Sequence, residues 1–87
     1  RTAPVMRFIE ERTEADVYKL DPIAAVYCSD LYSSYCEWCK DANIPPIDPR
    51  QCGRDIRDAV PSIQRKRESA EPRRWYYSGM GVEDFHG

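Results

Sequence analysis

Two adjacent prolines, Pro45 and Pro46, interrupt the chain near its middle in the run Asn43-Ile-Pro-Pro-Ile-Asp-Pro. Proline has no amide hydrogen to give a helix interior and pushes the residue before it into extended backbone. No helix passes this point, yet both flanks carry helical spacing. Upstream, Leu31, Tyr35, Trp38 and Ala42 recur at i, i+4, i+7 and i+11, with Tyr32 and Cys39 widening the stripe. Ser29 is the expected N-cap there, Asp30 suits the positive end of the dipole, and Trp38 is the expected core anchor. Downstream, Asp48-Pro49-Arg50-Gln51 starts a new helix. Asp48 caps it, Pro49 takes the first helical position, and Gln51 is placed to reach back as in a capping box. Cys52, Ile56 and Ala59 or Val60 face inward. Arg50, Gln51, Arg54, Arg57 and Asp58 face outward, and Pro61 closes the helix.

The flanking segments complete a recognisable order. Residues 4–14 place Val5, Phe8, Ile9 and Arg12 on one side of a three-turn helix, with Thr2 or Ala3 ahead of a proline in the first turn. Residues 16–28 are strand or loop, ending in a short buried segment of β character. After Pro61, two β-rich runs flank a turn from Ser69 to Pro72. A turn centred near residue 70 would set Lys66 and Arg67 opposite Arg73 and Arg74. Like charges directly opposite destabilise a ladder, so a phosphate strand lying over the hairpin would explain them. The expected fold is α+β: a winged helix-turn-helix of three helices plus a C-terminal β-hairpin wing, one domain spanning residues 1–87.

Charge is distributed unevenly along this order. Residues 1–47 carry five basic against eight acidic residues, whereas residues 48–77 carry eight basic against five acidic. The net charge of −2 therefore hides a basic second half, and it is the local field that guides an encounter. No apolar run approaches the ~20 residues of a membrane span. A domain this short has little space for an enclosed pocket of the usual ~300–1,000 Å³, which favours a binding module over an enzyme. The Arg-Thr-Ala-Pro start, without Met or an apolar leader, reads as part of a longer chain.

Other chemistry is thin. Cys36-Glu37-Trp38-Cys39 has the two-residue gap of zinc thiolate sites, but the pair falls within a helix and only Cys52 follows it, with His86 near the C-terminus. Cys28, Cys36, Cys39 and Cys52 are read as small buried hydrophobes in a reducing compartment, neither zinc ligands nor disulfides. Glu10, Glu11 and Glu14 form a solvated helical face. Gly79-Met80-Gly81 lacks the Lys-Ser/Thr that a phosphate loop requires. No catalytic residue, metal or cofactor is assigned to this domain.

Leu31, Tyr32, Tyr35, Trp38 and Cys39, then Gly53-Arg54-Asp55-Ile56, then Arg73 or Arg74 with Trp75, Tyr76, Tyr77 and Gly79, make a composite pattern. Over residues 4–82 it resembles the C-terminal domain of phage- and plasmid-encoded primase–helicase replication proteins of the satellite-phage alpha type. That family often has an aromatic residue where this chain has Cys52. The resemblance implies a winged-helix appendage behind a primase and a superfamily 3 helicase, working in the cytoplasm of a bacterial host. It also implies recognition of a replication origin, where the helicase is loaded.

Basic helix and basic hairpin together point to duplex DNA. Arg pairs two-toothed with guanine, Gln with adenine, and Asp accepts from cytosine, so Arg50, Gln51, Arg54, Arg57 and Asp58 are the expected base readers. Arg65, Lys66, Arg67, Arg73 and Arg74 are expected on phosphates or in the neighbouring minor groove. Two internal pairings compete with these roles, Arg54 with Asp58 and Asp55 with a hairpin cation. The alternative function is protein contact, either self-association or docking to the rest of the replication protein, through the acidic first half and the aromatics Tyr18, Tyr27 and Trp75.

Overall fold

Helix α1 (Pro4–Glu14) buries Val5, Phe8 and Ile9, the apolar side its spacing requires. The computed structural model describes residues 4–85, so Arg1, the Thr2/Ala3 cap and His86 lie outside the described residues. The order continues with β1 (Ala25–Tyr27), α2 (Cys28–Asp41), α3 (Pro49–Ala59), β2 (Gln64–Arg67) and β3 (Trp75–Ser78). The described residues thus form a small α+β domain of three helices and one antiparallel sheet ordered β1-β3-β2. The expected hairpin forms, and the short β segment before α2 joins it as a third strand, pairing Val26 with Tyr77.

The α1 face meets α2 around Phe8. Its ring packs edge-on against Tyr18, Tyr35 and Trp38, at centroid distances of 5.7–6.2 Å. Trp38 is buried as expected, and its indole N–H donates to Glu11 Oε1 at 3.2 Å. Ala42 falls outside this stripe. It caps the C-terminus of α2 and is exposed, because the helix ends at Asp41, one residue before it.

The N-terminus of α2 also differs from expectation. The extended β1 runs directly into the helix, so Tyr27 takes the N-cap position and makes no side-chain cap bond. Ser29 falls inside the first turn and is used elsewhere. Tyr18, expected on the surface, is buried against Phe8.

The proline connector is pinned to α2. The Tyr32 hydroxyl donates to the Ile47 carbonyl at 2.8 Å, and the Ile47 N–H donates to the Tyr35 hydroxyl at 3.4 Å. Asp48 then caps α3, its carboxylate accepting from the Gln51 N–H at 2.9 Å. Only half of the capping box forms, since the Gln51 side chain turns forward to Asp55. Cys52 and Ile56 are buried on the inner face, followed by Val60 at the C-cap.

Gly81 joins the chain's end to β1. Its backbone is at φ +142°, and a Cβ there would lie 2.2 Å from the Ala25 carbonyl oxygen. Only glycine allows this approach.

Candidate nucleic-acid interface

Arg50, Arg54 and Arg57 are spaced i, i+4, i+7 and therefore form one stripe along α3. Together with Arg65 of β2 they wall an open groove of about 720 Å³, floored in part by Cys28 and Tyr77. The Tyr77 side chain reaches across to α3 at Gly53, where a Cβ would meet the Tyr77 hydroxyl at a tight 3.3 Å. Burial raises the Tyr77 pKa, with Arg57 and Arg65 opposing the shift. The Cys28 thiol is likewise pushed up by burial, while a hydrogen bond with Arg65 pulls it down.

Gln51, Asp55 and Asp58 occupy a neighbouring stripe of α3. The Gln51 side-chain amide donates to Asp55 Oδ1 at 2.9 Å, so Gln51 and Asp55 satisfy each other. Asp55 thus pairs with Gln51, not with a hairpin cation. Among the described residues no ion pair joins Arg54 to Asp58, and Arg50, Arg54 and Arg57 have no carboxylate within salt-bridge distance. The helix presents three arginines on one side and a partly self-satisfied polar stripe beside it.

The hairpin register overturns one expectation. Lys66 pairs with Tyr76 and Arg67 with Trp75, while Arg73 and Arg74 precede β3 in the turn. No like-charge ladder exists. The turn is longer than expected because Glu68 and Arg74 close it, through Glu68 N–H to Arg74 carbonyl at 3.0 Å and Arg74 N–H to Glu68 Oε1 at 2.9 Å. Side chains alternate across a sheet, so Arg65 and Arg67 share a face with Trp75 and Tyr77. Lys66 is on the other face, beside Gln64, Leu20 and Ser78.

The hairpin cations also differ in how they are held. Arg65 lies over the Trp75 ring at 4.2 Å and Arg67 over the same ring at 5.6 Å. Arg67 Nε also donates to the Arg73 carbonyl at 3.0 Å. Arg73 pairs with Glu71 at 3.6 Å on the exposed tip. Arg74 is the most engaged. It covers the Tyr27 ring at 3.6 Å, donates to Ser29 Oγ at 3.0 Å, and reaches Asp30 at 3.6 Å. Ser29 and Asp30, read as cap and dipole partner, thus anchor the hairpin to the start of α2. The Tyr27 hydroxyl adds a 2.6 Å hydrogen bond to Glu68 Oε2 and holds that carboxyl below its ordinary range.

The four cysteines are free thiols, and burial pushes Cys52 up to about 12. Among the described residues no group of three or more Cys, Asp or Glu is arranged to hold a metal ion. Among the described residues no helix is long and apolar enough to cross a membrane.

Sequence reasoning placed Trp75 in the resemblance pattern and among possible protein contacts, not beside cations. Its place under Arg65 and Arg67 follows from the register, which alternation alone does not fix. No protein-family model matches the chain, and no curated protein or solved structure matches it either.

Proposed function

We propose that the chain is a winged-helix module that binds duplex DNA in a sequence-specific manner, with α3 in the major groove and the β2–β3 hairpin as the wing. The order α1-β1-α2-α3-β2-β3 with sheet order β1-β3-β2 supports the winged-helix reading. The observation that carries the DNA reading is the groove walled by Arg50, Arg54, Arg57 and Arg65, whose α3 members have no internal carboxylate partner among the described residues. Arg57 in the last turn suits the helix dipole, but Arg50 and Arg54 have no such role and no internal carboxylate among the described residues. Phosphates and guanine edges give them partners. Following the resemblance, the duplex is a replication origin and the module positions a primase–helicase on it. The domain itself performs no catalysis.

A selection from random duplex DNA tests this directly. An enriched sequence, bound with an affinity that falls steeply with salt, supports the reading. Recovery of no preferred sequence together with salt-insensitive retention counts against it.

A second reading rests on a different surface. Leu20 and Ile23 are 57% and 68% exposed, and Leu20 borders the hairpin face that carries Lys66 instead of Arg65. Such a patch supports docking to the rest of a replication protein, or self-association, and both would be insensitive to salt.

A further inference from the structure

Deepening the protein-contact reading, and independently of duplex binding, we propose that the free edge of β2 takes up an extended segment of a partner protein in which carboxylates alternate with apolar residues. β2 lies at the margin of the sheet, with β3 as its one strand neighbour among the described residues, and all four of its residues are exposed. In an antiparallel pair, residues that bond across the ladder alternate with residues that do not. The Glu68 N–H donates to the Arg74 carbonyl, so by alternation Lys66 and Gln64 bond to β3. The N–H and C=O groups of Arg65 and Arg67 therefore point outward, and no other backbone group meets them among the described residues. Such a row of donors and acceptors is a template for one more strand.

The side chains select the strand. Arg65, Lys66 and Arg67 have no carboxylate within salt-bridge distance among the described residues. A second copy of β2 would bring the same cations alongside and be repelled. Carboxylates on the Arg65 and Arg67 face of an incoming strand would instead lie directly beside those guanidiniums. Alternation turns the next residues of that strand to the other face. There an open groove of about 280 Å³ is bounded by Leu20, Pro22, Gln64 and Lys66, and Leu20 is exposed. An apolar side chain entering it covers Leu20 and the methylene stem of Lys66. Backbone edge, cationic face and apolar groove all ask for one pattern of period two.

The test adds the peptide Glu-Val-Glu-Val-Glu-Val, blocked at both ends, to the whole chain and follows affinity and amide exchange. Exchange of the Arg65 and Arg67 amides should slow on saturation, while the Lys66 amide, already in the ladder, changes little. Two further peptides carry N-methyl groups on alternate amides, one set on the Glu residues and the other on the Val residues. Charge is the same in both. The version whose methyl groups face β2 should bind about fivefold to 150-fold more weakly than the other, for two or three hydrogen bonds lost. A peptide with Lys in place of Glu should not bind. Equal affinity for the two methylated versions, unchanged exchange at Arg65 and Arg67, or equal binding of the Lys peptide overturns the edge proposal. Self-association of the chain without peptide, read by sedimentation, would leave the protein-contact reading standing after such a failure.

Discussion

On α3, Arg50, Arg54 and Arg57 have no ion pair among the described residues, whereas at the hairpin tip Arg67, Arg73 and Arg74 are each held by a neighbour. The two regions are similar in composition and differ in what their backbones need. Within a helix the backbone satisfies most of its own carbonyls, so side chains on its surface are free to serve something else. A long turn leaves carbonyls and a carboxylate to be satisfied, and the nearest guanidiniums are drawn in to do it. Cationic charge on a surface is therefore a poor guide to a ligand site until its internal partners are known.

The sharpest way to break this comparison is on α3. Arg54→Ala and Arg57→Ala should each lower affinity for the selected duplex by about 1–3 kcal/mol more than for random duplex. Their stability should stay within about 0.5 kcal/mol of the parent, since neither has an internal carboxylate partner to lose. Equal losses on both DNAs would move these residues from bases to phosphates. No loss on either would end the claim that the stripe is a binding face.

Arg74→Ala should behave in the opposite way. Removing its stacking on Tyr27 and its bond to Ser29 should cost about 1–2 kcal/mol of stability, read as a lower Tm, with sequence preference unchanged. An Arg74→Ala protein that melts like the parent but loses its preferred sequence would put Arg74 in the binding set.

Most of the fold was legible in the sequence, and the reasons are local. Pro45, Pro46 and the Asp48-Pro49 pair act through backbone chemistry that does not depend on tertiary context, and the α2 and α3 stripes follow from spacing alone. The cap at Ser29 failed because β1 runs straight into the helix, a long-range pairing with β3 that no local signal at Ser29 reports. The hairpin register failed for a related reason. Arg74 bridges 45 residues to Ser29, so the turn that fits this contact is longer than the tightest one. Of the ten candidate site residues, Arg50, Arg54, Arg57 and Arg65 were brought together, and Gln51 was tied to Asp55.

A smaller effect separates the two hairpin faces. Arg67→Gln should reduce the slope of log affinity against log salt by up to ~0.9, the share of one phosphate contact, whereas Lys66→Gln should leave it unchanged. Lys66 points to the face lined by Gln64 and Leu20, away from Arg65 and Trp75. Similar changes in slope for the two variants would mean that the backbone wraps the hairpin edge.

The smallest effect is a pH dependence at the tip. Glu68 is held below its ordinary carboxylate value, first by the Tyr27 hydroxyl and then by the Arg74 N–H. A carboxyl lowered in the folded state contributes stability that is fully present above its unfolded pKa and is lost as pH falls through the lowered folded value. The hairpin tip should therefore tighten little between neutral pH and the ordinary carboxylate range, then loosen below it. Amide exchange of the Arg74 N–H, which donates to that carboxylate, is the direct probe. Because Glu68 is at the surface, added salt should blunt the change. Glu68→Gln should abolish the pH dependence, and its one carbonyl oxygen keeps an acceptor where the carboxylate uses two, one for Tyr27 and one for Arg74. If the parent and Glu68→Gln proteins loosen identically in acid, some other carboxylate governs the tip. Glu71, which meets Arg73 at 3.6 Å on the outermost part of the turn, is then the group to change next.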